Sequence, residues 1–330
     1  MRAKGYGPYR GRSSFKKFLK VLAVVVIILI VLAAAAAVYL QQYLVVSSDG
    51  VRLELPFFRQ EEQPDPASSP SASPSAPPVV VVTPEPAPEP EQSALQPVAL
   101  PREALTDGTA AARVEAGGGD CALFDMKADS GELSYGSALD LAVTAHLSAD
   151  DPDLNAAITA LNETEGLYTV ARVSCFKDHN ITDYHRSLSI FTNSDYRWTD
   201  PDGIRWISPT NADVRDYLTS LCVELAELGF DEILLDNAGY PGEGNLHYIK
   251  KGAAYDETQF AAVIEGFYAQ VHTVLADYGV TLSVVTTPES MAGLDALTGQ
   301  TPDSLARADR LWIRTETGSL MPVESTPEEP

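Results

Sequence analysis

The chain has 330 residues, and 46 acidic against 23 basic side chains give it a formal net charge of −23. An acidic body repels phosphate backbones, so nucleic acid is excluded as the expected partner of the folded part. Cys121, Cys175 and Cys222 are odd in number, widely spaced and set in apolar stretches, which predicts buried free thiols and no disulfide framework.

The charge is uneven along the chain. Arg2, Lys4, Arg10, Arg12, Lys16, Lys17 and Lys20 come before any acid. This basic tail, 1–20, leads into an uncharged run from Val21 to Leu40. About 20 apolar residues span a hydrocarbon core of about 30 Å. Residues 21–44 are therefore expected to form a single transmembrane helix, with the basic N-terminus cytoplasmic and the rest of the chain outside the cell. The alanine run after Leu32 also resembles a signal-peptide cleavage region. The apolar run continues through Leu40, which favours an uncleaved anchor, and both readings export the remainder.

Residues 45–58 alternate apolar and polar side chains around Asp49-Gly50, the signature of a short hairpin. From 59 to 97 the chain is rich in Pro, Ser, Ala and Glu and cannot bury enough apolar surface to fold, so it reads as a disordered, extended linker. A folded domain is expected over 98–317, followed by a disordered polar tail, 318–330.

Within that domain short apolar runs alternate with helical patterns. Strands are predicted at 121–126, 167–176, 231–237, 281–287 and 310–315. Helices are predicted at 152–164, 210–228, 257–277 and 302–308. Repeated strand–helix units imply an α/β fold with a parallel sheet and outer helices. A barrel and a doubly wound sheet both fit. The strands end in polar groups (Asp125 and Lys127, Lys177 and Asp178, Asp236, Glu289, Arg314 and Glu316), which favours a (β/α) TIM-barrel-like domain with its active face at the C-terminal strand ends. No GxGxxG or Walker motif follows a strand, and no cofactor is expected.

Four segments carry a family resemblance: DMKADSGELSY at 125–135, ARVSCFKD at 171–178, WISPTNADVRDY at 206–217 and GFDEILLDNAGYP at 229–241. In this order they resemble the bacterial family of TIM-barrel domains described as "putative glycosyl hydrolase domain". The resemblance implies a barrel acting on carbohydrate, a polysaccharide or cell-wall glycan. Two departures stand out. Where the family has Tyr-x-Arg-Phe after the fourth-strand Asp, this chain has Asn237-Ala238-Gly239-Tyr240, without the arginine. Candidate strands also run out at about six, so the barrel reads as incomplete, with open edges that a protein partner would close.

Glycoside hydrolysis needs two carboxyl groups flanking the scissile bond. Asp236 is the first candidate, since it leaves a buried apolar strand where a lone carboxylate is costly without a role; the plain alternative is a structural acid paired with Arg172. Glu289, after the next strand, is its candidate partner, against the commoner case of an exposed loop glutamate. By analogy Asp125, Lys127 and Asp129 line the same rim, with Lys127 either binding substrate or pairing with Asp125. Arg172, Lys177, Asp178 and Asn237 are further substrate-contact candidates, with structural pairing as the rival reading. Trp198 and Trp206 are candidates for stacking on sugar rings. His179, Asp183 and His185 match no standard zinc spacing, so no metal is expected. The alternative to an enzyme is a noncatalytic carbohydrate-binding or wall-associated module on the same fold.

Overall fold

The computed structural model describes residues 44–47, 50–53 and 95–323. The chain divides into two units, Met1–Glu85 and Pro86–Pro330. In the first, β1 (Leu44–Ser47) pairs antiparallel with β2 (Gly50–Leu53), with Ser47 opposite Gly50, so Gly50 stands in the strand, one position from where a central Asp-Gly turn would place it. The tail 1–20, the linker over 59–94 and the anchor up to residue 43 lie outside the described residues. Leu44, the last residue of the expected anchor, stands in a strand. Among the described residues no helix is long and apolar enough to cross a membrane.

The second unit is an α/β domain. Its sheet begins with β3 (Pro97–Leu100), followed by α1 (Ala110–Ala116) and β4 (Cys121–Lys127). Helices α2 (Asp140–Thr144) and α3 (Leu154–Asn162) lead to β5 (Tyr168–Ser174). A long connection carrying α4 (Ile181–Tyr184) and α5 (Ala212–Glu227) leads to β6 (Glu232–Asp236). Then come α6 (Phe260–Ala276), β7 (Thr281–Thr286), α7 (Pro288–Met291), α8 (Pro302–Leu305) and β8 (Arg310–Arg314). A turn closes on β9 (Leu320–Pro322). The strand order follows the sequence, β3 to β9, with every pair parallel except β8–β9. The result is a seven-stranded, barrel-like sheet whose edge strands β3 and β9 do not pair with each other.

Two strands differ from the sequence reading. β3 lies in no predicted element and begins at Pro97, the last residue of the expected disordered linker, and β9 falls within the expected disordered tail. Residues 324–330 of that tail lie outside the described residues.

The central strands β4 to β7 are buried on both faces, which explains their continuous apolar runs. Ala122, Phe124, Ala171, Ile233, Leu235 and Val284 pack outward under the helices. Helix α5 starts at Asn211, whose side chain accepts a bond from Asp213 N–H, and it buries Val214, Leu218, Leu221 and Leu225. Cys121, Leu123, Val170, Leu234, Trp312 and Leu320 fill the concave side. On β4, β5, β6 and β8 the residue two positions beyond Leu123, Val170, Leu234 and Trp312 is charged and stands at the C-terminal mouth: Asp125, Arg172, Asp236 and Arg314.

Candidate active site

The mouth is organised around Arg172. Cross-strand register sets it beside Asp125 on β4. Its Nη1 donates to Asp125 Oδ1, its Nη2 to Asp129 Oδ1 and its Nε to Asp236 Oδ2, each at 2.7 Å. Arg314, at the end of β8, donates to the same Asp236 oxygen. The other oxygen, Oδ1, accepts from Asn237 N–H at 2.8 Å. Asp236 is only 3% exposed, so three charge-assisted or backbone donors replace the water that it lost. Asn237 holds a left-handed backbone, φ 47°, which Asn tolerates better than most residues. That turn sends its Nδ2 to Ser174 Oγ at 2.8 Å and Asp129 Oδ1 at 3.2 Å.

The charges tune one another. Burial works against the Arg172 charge, but Asp236, Asp125 and Asp129 together outweigh it and hold its pKa above the ordinary value. Burial raises the Asp125 pKa and prevails over Arg172, although half of the side chain stays exposed. At Asp129 burial also pushes upward, but Arg172, Ser174 and Lys177 more than reverse it, and the net shift is downward.

Behind this cluster Lys127 and Asp178 form a buried ion pair, 1% and 0% exposed, at 2.9 Å. Lys127 Nζ also donates to the carbonyl of Ser174 at 2.7 Å. Asp178 Oδ1 accepts from Ile181 N–H at 3.0 Å. Gly131, at φ 96°, lets the β4 loop lie against this acid: a Cβ there would stand 2.1 Å from Asp178 Oδ1. Lys127 and Gly131 of the first motif thus lock onto Asp178 of the second, while Asp125 and Asp129 take its Arg172. Lys127 and Asp178 are not on the substrate rim where the sequence reading put them, and Lys127 does not pair with Asp125.

A cleft of about 850 Å³ opens beside Asp236. Lys177, Trp206, Asn237, Glu289 and Arg314 line it with Asp236. Lys177 Nζ sits 3.0 Å from Asp200 and 3.2 Å from Asp202. Burial lowers its pKa, but these acids and Asp129 outweigh burial and raise it. Trp206 is fixed by its Nε1–H on Asp200 Oδ2 at 3.1 Å. Glu289 is exposed on α7, where the Thr287 side chain caps the turn by accepting from Ser290 N–H. No partner engages the carboxyls of Glu289 and Glu243 among the described residues.

Asp236, Glu289, Asn237, Lys177 and Trp206 therefore come together at the cleft. Arg172 ties Asp125 and Asp129 to Asp236 from behind. Trp198 does not take part: it is 2% exposed and its Nε1–H donates to Asn245 O at 3.3 Å. The sequence reading set Arg314 at the strand-end face without giving it a role, and it missed Asp200 and Glu243 as cleft residues. For Arg314 a signal existed, since Arg310, Trp312 and Arg314 alternate on one face of their strand.

Among the described residues no group of three or more His, Cys, Asp or Glu is arranged to hold a metal ion. The three thiols are buried and free. Burial pushes Cys121 and Cys222 up to about 12, which suits packing and not nucleophilic chemistry.

The family described as "Putative glycosyl hydrolase domain" matches residues 114–307, more than half of the chain, from α1 through α8. No curated protein matches. Among solved structures, a hypothetical protein from Ruminiclostridium thermocellum is similar at 20% identity and a TM-score of 0.48, over 57% of this chain and 95% of that one. The glycoside hydrolase domain of PelA from Pseudomonas aeruginosa is similar at 13% identity and a TM-score of 0.39, over 70% and 74%. Aspergillus fumigatus Ega3, solved in complex with galactosamine, is similar at 12% identity and a TM-score of 0.33, over 58% and 59%.

Proposed function

We propose, since the chain belongs to the glycosyl hydrolase domain family, that this domain cleaves a polysaccharide or cell-wall glycan bound in the cleft at the sheet mouth. One observation carries the reading. Asp236 borders a cleft large enough for sugar rings; two guanidiniums donate to its Oδ2 and a backbone N–H to its Oδ1, which leaves one lone pair of Oδ1 without a donor. That arrangement suits a nucleophile or base and not a proton donor. Glu289 lines the same cleft without a partner and is assigned the complementary role, protonating the leaving oxygen. Trp206 supplies an apolar face for a sugar ring. The uncharged segment over 21–44 would hold the domain at the outer face of the cell membrane.

The test is release of reducing ends from a panel of purified polysaccharides by the full chain, its Asp236→Asn variant and its Glu289→Gln variant. Turnover by the parent, with loss in both variants at unchanged folding, is the expected result. The double engagement of Asp236 by arginines also fits a noncatalytic, sugar-binding module. Under that second reading the parent binds glycan without cleaving it, and Asp236→Asn retains the affinity.

A further inference from the structure

We propose that a second groove, beside the cleft, is an accessory subsite for the uncharged pyranose rings of a glycan chain; this step rests on the glycosidase reading above. The groove measures about 300 Å³ and is lined by Asn193, Tyr196, Trp198, Thr199, Asn245 and Tyr248, among others. Tyr196 is 74% exposed and Tyr248 55%. Aromatic rings normally bury 150–250 Å² each, so two held open at one groove are a standing offer of apolar contact.

The loops that carry them are fixed by backbone bonds. Thr192 N–H donates to Tyr196 O at 2.7 Å, Asn193 N–H to Tyr248 O at 2.8 Å and Lys250 N–H to Phe191 O at 2.8 Å. Thr192 and Ile249 form an isolated antiparallel bridge. Trp198 packs as the floor, tied to Asn245 O. A ligand therefore meets rings on an ordered frame and loses little to loop ordering.

The chemistry of the lining selects the ligand class. The C–H face of a pyranose stacks on an aromatic face, and its hydroxyls match the donors and acceptors of amides. Asn245 is exposed and its side-chain amide has no partner among the described residues. The one charged lining residue, Arg197, gives Nη1 to Asp183 Oδ1 at 2.8 Å and Thr182 O at 2.6 Å, and its remaining N–H groups are donors that sugar hydroxyls can meet. The other lining residues are amides, hydroxyls and aromatic rings, groups that match an uncharged polyol.

Position joins the groove to the cleft. Thr199 of the groove directly precedes Asp200–Asp202 of the cleft wall, and Asn245 follows Glu243 of the cleft by two residues. The residue between them is Gly244, at φ 91°; a Cβ there would stand 3.0 Å from Pro201 Cδ and 3.5 Å from Trp198 Cζ2. The partition is thus a bare backbone, over which a chain leaving the cleft reaches the tyrosines.

The experiment compares the full chain with its Tyr196→Ala/Tyr248→Ala and Tyr196→Phe/Tyr248→Phe double variants. The probes are soluble amylose, hydroxyethyl cellulose and glycol chitin, each beside the matching disaccharide. For whichever polymer the parent handles, the alanine variant is expected to show a KM or Kd raised about tenfold, with disaccharide kinetics unchanged. The phenylalanine variant should retain the parent value, since it keeps both rings. Equal polymer KM in parent and alanine variant overturns the subsite, as does a phenylalanine variant as weak as the alanine one. A parent that neither binds nor cleaves any polymer overturns the glycosidase reading itself. Because both rings are exposed, the alanine variant should keep the parent's thermal midpoint, which separates a binding defect from misfolding.

Discussion

Strand β6 carries two buried acids, Glu232 and Asp236, on one face and at opposite ends. Each takes an arginine from β8: Arg310 reaches Glu232 and Arg314 reaches Asp236. Glu232 is 0% exposed and also accepts from Tyr168 Oη at 2.9 Å, Trp312 Nε1 at 2.8 Å and Ser283 Oγ at 2.5 Å. Those donors close over it and hold four strands together at the N-terminal end. Asp236 has the same kind of partners, but it borders an open cleft. Burial and an arginine therefore do not distinguish a structural acid from a functional one. Access does: the lower pair seals the sheet interior, and the upper pair presents a fixed carboxylate to whatever enters.

The widest separation between the two acids is in turnover. Asp236→Asn is expected to lower glycan cleavage by about 10³-fold, a typical loss for a positioned acid–base or nucleophilic group. Its effect on folding should be small, because Arg172 keeps Asp125 and Asp129, and Arg314 is nearly half exposed. Glu232→Ala should do the reverse. It strands Trp312 Nε1 and Ser283 in a dry interior and removes the Arg310 counter-charge, a loss of about 3–5 kcal/mol by analogy with broken buried pairs. Urea unfolding measures it, and the fraction that stays folded should turn over substrate at the parent rate. A Glu232→Ala protein of parental stability but without turnover would collapse the distinction.

Most of the sheet was legible because strands buried on both faces read as apolar runs, as Ile233-Leu234-Leu235 does. β3 was hidden because Pro97–Leu100 abuts a proline-rich segment and is a strand only through its pairing with β4. β9 has three residues and takes its conformation from β8. The site was legible where an acid ends such a run, as at Asp236. It failed at Lys127 for a geometric reason. Alternation puts Asp125, Lys127 and Asp129 on one side, but the register shifts between Asp125 and Lys127, so Asp125 faces Arg172 while Lys127 aligns with Val173. The irregularity turns the lysine to the opposite face, where it meets Asp178. Trp198 and Trp206 sit eight positions apart in one long connection, and sequence gave no means of telling the wall of a cleft from its buried support.

The two arginines of β8 sharpen the comparison at intermediate size. Arg314 lies beyond the family-matched span, and it brings a guanidinium to Asp236 in a chain whose fourth-strand motif lacks one. Arg314→Gln is expected to lower kcat about 10- to 100-fold, the order lost with a charge-assisted bond to a reacting group, with a smaller change in KM. Arg314→Lys should recover part of it. Arg310→Gln should instead lower the urea midpoint and leave kcat alone. Equal kcat losses in both would mean that the two ends of β6 are coupled, not divided.

The smallest expected effect separates the two aspartates that share Arg172 with Asp236. The Asp129 carboxyl titrates below its ordinary value of 3.8, with Arg172 overcoming burial. Its contribution to stability is therefore present above the unfolded value and is lost as the pH falls through the folded one. Asp125 is shifted the other way by burial, so its contribution is present at acid pH and is lost as the pH rises through its folded value. Asp129→Asn should therefore be less stable than the parent near neutral pH, with the gap closing below about pH 4. Asp125→Asn should show no loss near neutral pH, because an amide imitates the protonated form that burial favours. Both side chains keep partial solvent access, so screening holds the differences to a modest shift of the urea midpoint. Midpoints for the two variants and the parent, measured from neutral pH down to about pH 3, decide the matter. Parallel curves for the two variants would show that Arg172 treats its aspartates alike, and that the mouth of the sheet is an undifferentiated ion cluster.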